Sequence, residues 1–426
     1  MLTVLIAVFV VGYLAIAFEE PIRLNKTATA LLIGVLCWTI YALGDSKSPG
    51  HVAQQLGHHL ASVAEILFFL LAAMTVVELI DAHDGFDLLT RRITTTNARS
   101  LLWIISFLAF FLSAALDNLT TAIVMVSLLR KLIRDDETRR LYAGVVIIAA
   151  NAGGAWSPLG DVTTTMLWIG GQITALNTMK ELFLPSLVSM LIPLAYLTWR
   201  MNGVIPKPVA LRRPGSAVHA VESNVMFGLG LGMLLFVPVF KTITHLPPYM
   251  GMLLALGVMW VASEVLHSGK DDEEKEPLTA AFALTRIDTP SILFFLGILI
   301  AIGALEATGL LRGLATHLDQ TVGNQDLIVV LIGLASAVID NVPLVAAAMG
   351  MYPLAQFPTD AKLWEFLAYC AGTGGSLLII GSAAGVAVMG MERINFGWYL
   401  RRISLLALLG YVAGAVTYLG LYAWLR

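Results

Sequence analysis

The sequence predicts an all-α integral membrane protein built from two inverted repeats, and three observations lead to this fold class. The chain has 426 residues, of which 58% are hydrophobic and 13% are charged, whereas soluble domains carry about 25% charged residues. The apolar residues form blocks long enough to cross a bilayer. Motifs of the first half also recur in the second half. This composition excludes a soluble enzyme and a nucleic-acid-binding protein.

Eight stretches are predicted to be continuous transmembrane helices, because each is apolar over about the 20 residues that a spanning helix needs. They are 2–18, 28–44, 62–82, 181–199, 223–240, 249–266, 289–307 and 398–424. The first stretch lacks the basic start and small-residue cleavage site of a signal peptide, so we interpret it as a retained helix.

Four further apolar regions are interrupted. Regions 99–134 and 326–357 each contain a central Asp-Asn pair, and we predict that they are re-entrant helical hairpins with this pair near the tip. Regions 143–172 and 363–391 contain glycine-rich polar runs and are predicted to be broken helices, because glycine and proline weaken a helix.

The interrupted regions belong to an internal repeat. Matching segments are 66–70 with 292–296, 113–118 with 336–341, and the Gly-Gly pair at 153–154 with that at 374–375. Chance similarity of apolar sequences does not predict matched polar residues at a near-constant offset, so a duplication is indicated. Residues 1–200 form the first repeat, 201–222 a cytoplasmic linker, and 223–426 the second repeat.

The second repeat is predicted to be inverted. A hairpin enters and leaves on one face, so each repeat has five transmembrane crossings, and an odd number inverts the copy that follows. If the linker is cytoplasmic, 20 of the 26 Lys and Arg residues lie on the cytoplasmic side, in agreement with the positive-inside rule. We therefore expect ten crossings, with both termini on the outer, periplasmic face.

Three acids lie in the interrupted segments, namely Asp117, Asp161 and Asp340, and no Lys or Arg lies near the centre of these segments. Ionisable groups inside a membrane are costly and usually functional. Burial without a cationic partner favours the neutral carboxyl group, so a proton or a metal cation must neutralise it. A group that holds one or the other, and not both, is the minimal device for exchanging cations against protons.

The residues around these acids are oxygen donors, which hard cations such as Na⁺ prefer. The candidate ion-binding or proton-binding residues are Asp117, Asn118, Thr120, Thr121, Asn151, Ser157, Asp161, Thr163, Thr164, Ser336, Asp340, Asn341, Thr373, Ser376 and Ser382. We predict that Na⁺ binds at Asp117, Asn151, Asp161 and Asp340. No cofactor is expected beyond the transported ions.

Two interpretations stay open at this stage. The glycines at the breaks either free backbone carbonyls to coordinate Na⁺ or only permit close helix packing. Glu65, Glu78 and Glu306 are either proton-relay residues or polar residues near helix ends whose side chains reach the interface.

The segments Leu116–Met125 and Asn151–Trp168, with Ser336–Pro343 and Gly372–Gly385 in the second repeat, resemble the NhaD-type Na⁺/H⁺ antiporters of the ion transporter superfamily. The resemblance covers most of the chain. It implies two opposed hairpins, two broken helices, a homodimer, and elevator-type movement of a hairpin-containing domain past a dimeric scaffold.

Two departures bear on the substrate and on the site. The dicarboxylate carriers of the superfamily have Ser-Asn-Thr at the hairpin tips, where this chain has Asp-Asn. Two acids would repel an anion, which argues against a carboxylate substrate. In the repeat, Asp161 aligns with Ser382, so the second broken helix has no acid.

We therefore predict a secondary antiporter of the bacterial inner membrane that exports Na⁺ or Li⁺ in exchange for H⁺, is electrogenic, and is not an enzyme. Its expected partners are membrane lipid and a second copy of the chain, without nucleic acid. The alternatives are an arsenite or dicarboxylate carrier of the same superfamily, a passive channel, and, remotely, an intramembrane aspartyl protease. Such a protease needs a Gly-x-Gly-Asp element, and Pro158-Leu159-Gly160-Asp161 lacks its first glycine.

Overall fold

The computed structural model describes residues 1–17, 19–44, 49–86, 93, 95–201, 203, 205 and 220–425. The regular elements in this part of the chain are helices, which confirms the predicted all-α class. Most of the predicted linker 201–222 lies outside the described residues.

The helices of the first repeat alternate between long spans and shorter segments. They are α1 (Leu2–Ala17), α2 (Glu19–Ile22), α3 (Lys26–Gly44), α4 (Pro49–Ala82), α5 (Ala98–Leu116), α6 (Asn118–Leu132), α7 (Asp136–Ala155), α8 (Val162–Ile169) and α9 (Ala175–Arg200). Helix α7 begins before position 143, where the broken helix was predicted to start, because the Asp135 side chain caps it by accepting a 2.8 Å hydrogen bond from the Thr138 N–H.

The second repeat follows the same order. Its helices are α10 (Ala220–Thr244), α11 (Pro248–Leu266), α12 (Asp272–Lys275), α13 (Ala280–Arg286), α14 (Thr289–Ala307), α15 (Leu310–Val322), α16 (Gln325–Ala335), α17 (Asn341–Met351), α18 (Lys362–Gly374), α19 (Ala383–Glu392), α20 (Phe396–Tyr399) and α21 (Leu405–Leu425). A π-helical turn, Leu400–Ser404, joins α20 to α21.

Eight helices in the described part of the chain are long and apolar enough to cross a membrane. Helix α1 is apolar but shorter, with 16 residues. Many of the large apolar side chains on these helices are exposed, for example Val261 and Val416. An apolar surface of this extent is suited to lipid, and the chain is a multi-pass membrane protein.

The helices form two groups, which we call the frame and the hairpin bundle. In the frame, α14 packs along α3 and α4, α11 packs against α4 and α10, and α1 packs against α3. In the hairpin bundle, α5 and α6 pack against α7, α16 packs against α18, and α19 packs against α6 and α7. Helices α9 and α21 pack together on the flank of the hairpin bundle.

Glycines set the closest approaches inside the hairpin bundle. A Cβ atom on Gly153 would lie 2.1 Å from the Phe110 carbonyl oxygen, and one on Gly374 would lie 2.0 Å from the Gly333 carbonyl oxygen. Both pairs join a broken helix to the first arm of the hairpin in the same repeat, and they correspond in the repeat alignment. Close packing, one of the two interpretations kept open above, is therefore the role of these two glycines.

A buried ion-pair cluster ties the two repeats together at the ends of α6 and α19. The Glu392 carboxylate, 1% exposed, lies 2.7 Å from Arg130 Nε and 2.6 Å from Arg139 Nε. Arg140 Nε donates to the Glu392 carbonyl oxygen at 3.2 Å. The hairpin and broken helix of the first repeat are thereby joined to the broken helix of the second.

A counterpart of this cluster lies at the opposite end of the hairpin bundle and uses uncharged donors. Asp360 accepts hydrogen bonds from the Thr174 N–H at 2.6 Å and the Thr174 hydroxyl at 2.7 Å. The Thr359 hydroxyl donates to the Gly171 carbonyl oxygen at 2.7 Å. The two repeats are thus joined at both ends of the bundle, so its helices are held together as one body.

We predict that Glu392→Gln destabilises the protein by about 2 kcal/mol, because it removes a buried charge shared by two arginines. Asp136→Asn is the matched control. Its carboxylate binds the same Arg139 but is 71% exposed, so its loss should cost less than about 1 kcal/mol. Thermal unfolding of both variants in detergent checks this, and equal melting temperatures would contradict the role given to Glu392.

We also predict that Gly153→Ala disrupts the hairpin bundle, because the new methyl group overlaps a backbone oxygen that cannot move alone. Overpacking of this kind costs about 1–3 kcal/mol. Gly232→Ala in α10, where no atom lies within 4 Å of the added carbon, should leave stability unchanged or raise it slightly. The monodisperse fraction in size-exclusion chromatography measures the difference. Equal monodisperse fractions for the two variants would show that α5 and α7 do not need this contact.

Candidate ion-binding site

Four half-helices begin at the centre of the hairpin bundle, and each is capped by a side chain predicted to belong to the site. The caps are Asp117 on α6, Asp161 on α8, Asp340 on α17 and Ser382 on α19. The capping oxygens lie 2.7, 2.9, 3.2 and 3.2 Å from the backbone nitrogens that donate to them. A helix N-terminus carries a partial positive charge of about half a unit, so three carboxylates offset three of these charges.

Asp161 lies at the centre of the arrangement and is 1% exposed. The Asn118 amide nitrogen donates to Asp161 Oδ2 at 2.8 Å, and the Asn341 amide nitrogen lies 3.3 Å from the same oxygen. The Thr163 hydroxyl donates to Asp161 Oδ1 at 3.0 Å. One buried carboxylate therefore receives hydrogen bonds from the tips of both hairpins.

The network continues from Asn118 into the second broken helix. The Asn118 amide nitrogen also donates to Asn151 Oδ1 at 2.9 Å, and the Asn151 amide nitrogen donates to the Ser382 hydroxyl at 3.1 Å. Asn151 is fully buried, and Asn118 and Ser382 are nearly so. Residues from both hairpins and both broken helices thus meet in one polar cluster, which we call the Asp161 network.

Asp117 and Asp340 are arranged differently from Asp161. Both are half-buried, and each carboxylate caps its own half-helix; the Thr120 hydroxyl donates to Asp117 Oδ2 at 2.9 Å. Each interacts electrostatically with Asp161. The structure therefore brings the three acids into one neighbourhood, but the hydrogen bonds that Asp161 receives from the hairpin tips come from the asparagines that follow Asp117 and Asp340.

Several predicted hydroxyl ligands donate to backbone carbonyls. Ser157 donates to Ala114 at 2.6 Å and Ser336 to Ala371 at 2.9 Å, and both contacts join a hairpin to a broken helix. The hydroxyls of Thr164, Thr373 and Ser376 donate to carbonyl oxygens nearby in their own segments. In this arrangement these side chains stabilise the tips and breaks, and their oxygen lone pairs remain as acceptors.

Thr121 differs from these hydroxyl residues. Its side chain is fully buried, and its hydroxyl has no hydrogen-bond partner among the described residues. An unpaired buried hydroxyl is costly, so Thr121 is a donor or ligand available to an incoming ion or water.

The three glutamates predicted as relay candidates lie away from the Asp161 network. Glu78 Oε1 lies 2.9 Å from Arg286 Nε, and Glu306 Oε2 lies 3.9 Å from His59 Nδ1. Glu65 is half-buried on α4 and interacts electrostatically with Lys241. A relay role for these residues stays a prediction.

Three residues near the site are not among those predicted. Ser113 donates to the Ala150 carbonyl oxygen at 2.6 Å. Its counterpart in the second repeat is Ser336, a predicted site residue, so the alignment of the repeats could have identified Ser113 as well. Lys26 and Tyr13 from the frame interact electrostatically with Asp340. Their positions depend on how the frame packs against the hairpin bundle, and no local motif indicates it.

Comparison with known proteins places this site in a family. The family described as Citrate transporter (CitMHS) matches residues 13–367. Sodium/proton antiporter 2 of Arabidopsis thaliana is 50% identical over 421 residues, which cover 97% of this chain and 98% of that protein. Sodium/proton antiporter 1 of the same plant is 53% identical over 416 residues, covering 97% of this chain and 71% of the relative.

A bacterial relative and a solved structure agree with this assignment. Na⁺/H⁺ antiporter NhaD of Vibrio cholerae is 33% identical over 444 residues, covering 97% of this chain and 90% of that protein. The crystal structure of the Alcanivorax borkumensis YdaH transporter has the same fold, with a TM-score of 0.60 at 12% identity over 94% of this chain and 99% of that one. The chain therefore belongs to the NhaD-type antiporters within the citrate-transporter (CitMHS) family of the ion transporter superfamily.

Proposed function

We propose that this protein is a secondary active antiporter that exports Na⁺ or Li⁺ in exchange for H⁺. The observation that carries the proposal is Asp161, a carboxylate buried at the meeting point of both hairpins and both broken helices, with Asp117 and Asp340 within electrostatic range. The names of the plant and bacterial relatives support the same activity.

The chemistry follows from the charge of the Asp161 network. A carboxylate at this depth needs a proton or a cation, since hydrogen bonds alone do not remove its charge. Asn118 and Asn341 each carry an amide oxygen beside the amide nitrogen that now donates to Asp161. Rotation of these amides would present oxygen ligands to Na⁺ next to the carboxylate. Proton and Na⁺ then compete for one site.

The transport cycle uses the two helix groups. The hairpin bundle carries the Asp161 network and is held together at both ends by contacts between the repeats, so it moves past the frame as a unit. On the cytoplasmic side Na⁺ displaces protons from the carboxylates, and on the outer side protons displace Na⁺. If more than one proton enters per Na⁺, the membrane potential drives exchange with about 2.3 kcal/mol per charge per 100 mV.

The alternative function is that of an anion carrier, because the matching family is described as Citrate transporter. Four helix N-termini converge on the site, and such termini bind anions when they are free. Here Asp carboxylates cap three of them and a hydroxyl caps the fourth. The arrangement favours a cation, and citrate, dicarboxylates and arsenite should neither be taken up nor compete with Na⁺.

The bacterial inner membrane, the outward position of both termini and the homodimer stay predictions. The orientation is supported by the distribution of Lys and Arg. The frame offers a lipid-exposed surface for a second copy along α11, where Leu254, Val261 and Val265 are exposed.

We predict that Asp161→Asn abolishes Na⁺/H⁺ exchange, because an amide can neither bind and release a proton nor balance the charge of a bound Na⁺. The substitution keeps the size of the side chain, so the protein should insert and run as a single species in size-exclusion chromatography. Dye-reported exchange in everted vesicles measures the effect. Asp319→Asn, in α15 and outside the Asp161 network, is a control that should retain exchange.

Asp117→Asn is also predicted to abolish exchange while leaving membrane insertion intact, because Asp117 is the half-buried acid next to the Asp161 network on the first hairpin. An asparagine can still cap α6, so any loss reports the charge and not the fold. Near-normal exchange in vesicles containing this variant would remove Asp117 from the ion path.

A further inference from the structure

Lys241 connects the frame to the half-helix that carries Asp161. It lies in the last turn of α10, and its ammonium group donates to the Trp168 carbonyl oxygen at 3.0 Å. The same ammonium lies 4.6 Å from the centre of the Trp168 ring. Trp168 is 2% exposed and belongs to α8 in the hairpin bundle. The Lys241 ammonium group of the frame is thus bound by both the carbonyl oxygen and the ring of Trp168 in the hairpin bundle.

The Lys241 contact and Asp161 occupy opposite ends of the same short helix. Helix α8 has 8 residues, with Asp161 at its N-cap and Trp168 in its last turn. The last carbonyls of a helix lack partners within the helix and carry a partial negative charge. An ammonium group is therefore suited to this end, just as the capping carboxylate is suited to the other.

The frame contacts the hairpin bundle asymmetrically. Helices α8 and α17 run from the centre toward the predicted outer face, and they pack against α4 and α14 respectively. Their inverted counterparts are α19 and α6, which run toward the predicted cytoplasmic face. In the described part of the chain, these two make no comparable contact with α14 and α4. Helix α5 also touches α10.

This asymmetry indicates the position of the hairpin bundle. Its outer half packs against the frame through both α8 and α17, whereas among the described residues its inner half has a comparable contact with the frame through α5 alone. In an inverted-repeat transporter the opposite arrangement exchanges the two sets of contacts. The structure therefore corresponds to an inward-facing arrangement under the orientation predicted from Lys and Arg.

We propose that Lys241 is a positioning residue that holds α8, and with it the hairpin bundle, in the inward-facing arrangement. The proposal rests on the proposed antiport function, because the contact must break in each cycle for α8 to slide past α10. The Lys241 contact then sets how long the site stays open to the cytoplasm, without touching the ion.

The expected effect is a shift between the two arrangements. The contact combines a charged hydrogen bond with a cation–π contact on a half-buried side chain. Lys241→Met keeps the aliphatic stem and removes both attractions. The inward-facing population should fall relative to the outward-facing one by about tenfold. The KM for cytoplasmic Na⁺ should therefore rise, while exchange is retained.

A cysteine at Ala347 reports the arrangement directly. Ala347 lies on α17 and lines an apolar cavity of about 380 Å³ between the frame and the second hairpin, together with Phe9 and Leu305. Ala347 is half-buried beside the frame in this arrangement, and its exposure to the outer aqueous phase should increase when the bundle moves outward. The variant Ala347→Cys is made with the buried Cys37 and Cys370 replaced by alanine. Labelling uses a membrane-impermeant maleimide added to the outer side of proteoliposomes.

We call this Ala347→Cys protein the parent. When Lys241→Met is added to it, we expect the cysteine at position 347 to react with the maleimide about ten times faster than in the parent. Lys241→Arg, which keeps the charge and donors, should restore the parent rate. Lys180→Met is the matched control, since Lys180 lies in α9 near the same membrane face and its side chain is 76% exposed; it should label at the parent rate. If Lys241→Met does not insert, Lys241→Gln replaces it.

Equal labelling rates for the parent and Lys241→Met, with Na⁺/H⁺ exchange intact in both, would overturn the positioning role of Lys241. If Lys241→Met labels faster than the parent but neither protein exchanges Na⁺ for H⁺, the proposed function is contradicted and the positioning role of Lys241 is still supported. If Lys241→Arg labels at the parent rate, the contact depends on the positive charge, as proposed. If Lys241→Arg labels as fast as Lys241→Met, the proposed charge contact is overturned.

Discussion

The structure depends on one constraint: four half-helices begin in the middle of the hairpin bundle, and the first N–H groups of each have no partner within the helix itself. Backbone groups at membrane depth must find partners inside the protein. Asp117, Asp161, Asp340 and Ser382 meet that need as N-caps. The residues that hold the breaks together are therefore the ones that place negative charge at the transport site, so architecture and ion chemistry cannot be separated here.

The inverted repeat supplies a symmetric framework within which the function is asymmetric. Gly153 and Gly374 make equivalent close approaches, and Ser113 and Ser336 donate equivalent hydrogen bonds. The pair that differs is Asp161 and Ser382. Because Ser382 replaces the acid in the second broken helix, the asparagines of both hairpins turn toward Asp161, and the site at the centre of the twofold scaffold is built around one carboxylate.

Much of this could be predicted from the sequence, since acids and glycines inside apolar segments have few explanations other than breaks and sites. Local patterns were less reliable for side-chain roles. Asp117, Thr120 and Thr121 have the spacing of one helix face, yet Asp117 has φ 111° and lies before the helix, where Thr120 donates to it. The contacts of Lys26 and Lys241 could not be predicted, because each depends on the packing of one repeat against the other.

The central claim is that Asp161 and its neighbouring acids hold a proton or an alkali cation in turn. The most direct test is proton release from the purified protein in weakly buffered detergent when NaCl is added, with choline chloride as the ionic-strength control. The account predicts that Na⁺ and Li⁺ release protons with saturation, that choline does not, and that the release is lost in Asp161→Asn. Saturable Na⁺ binding with no proton release from the unaltered protein would contradict it.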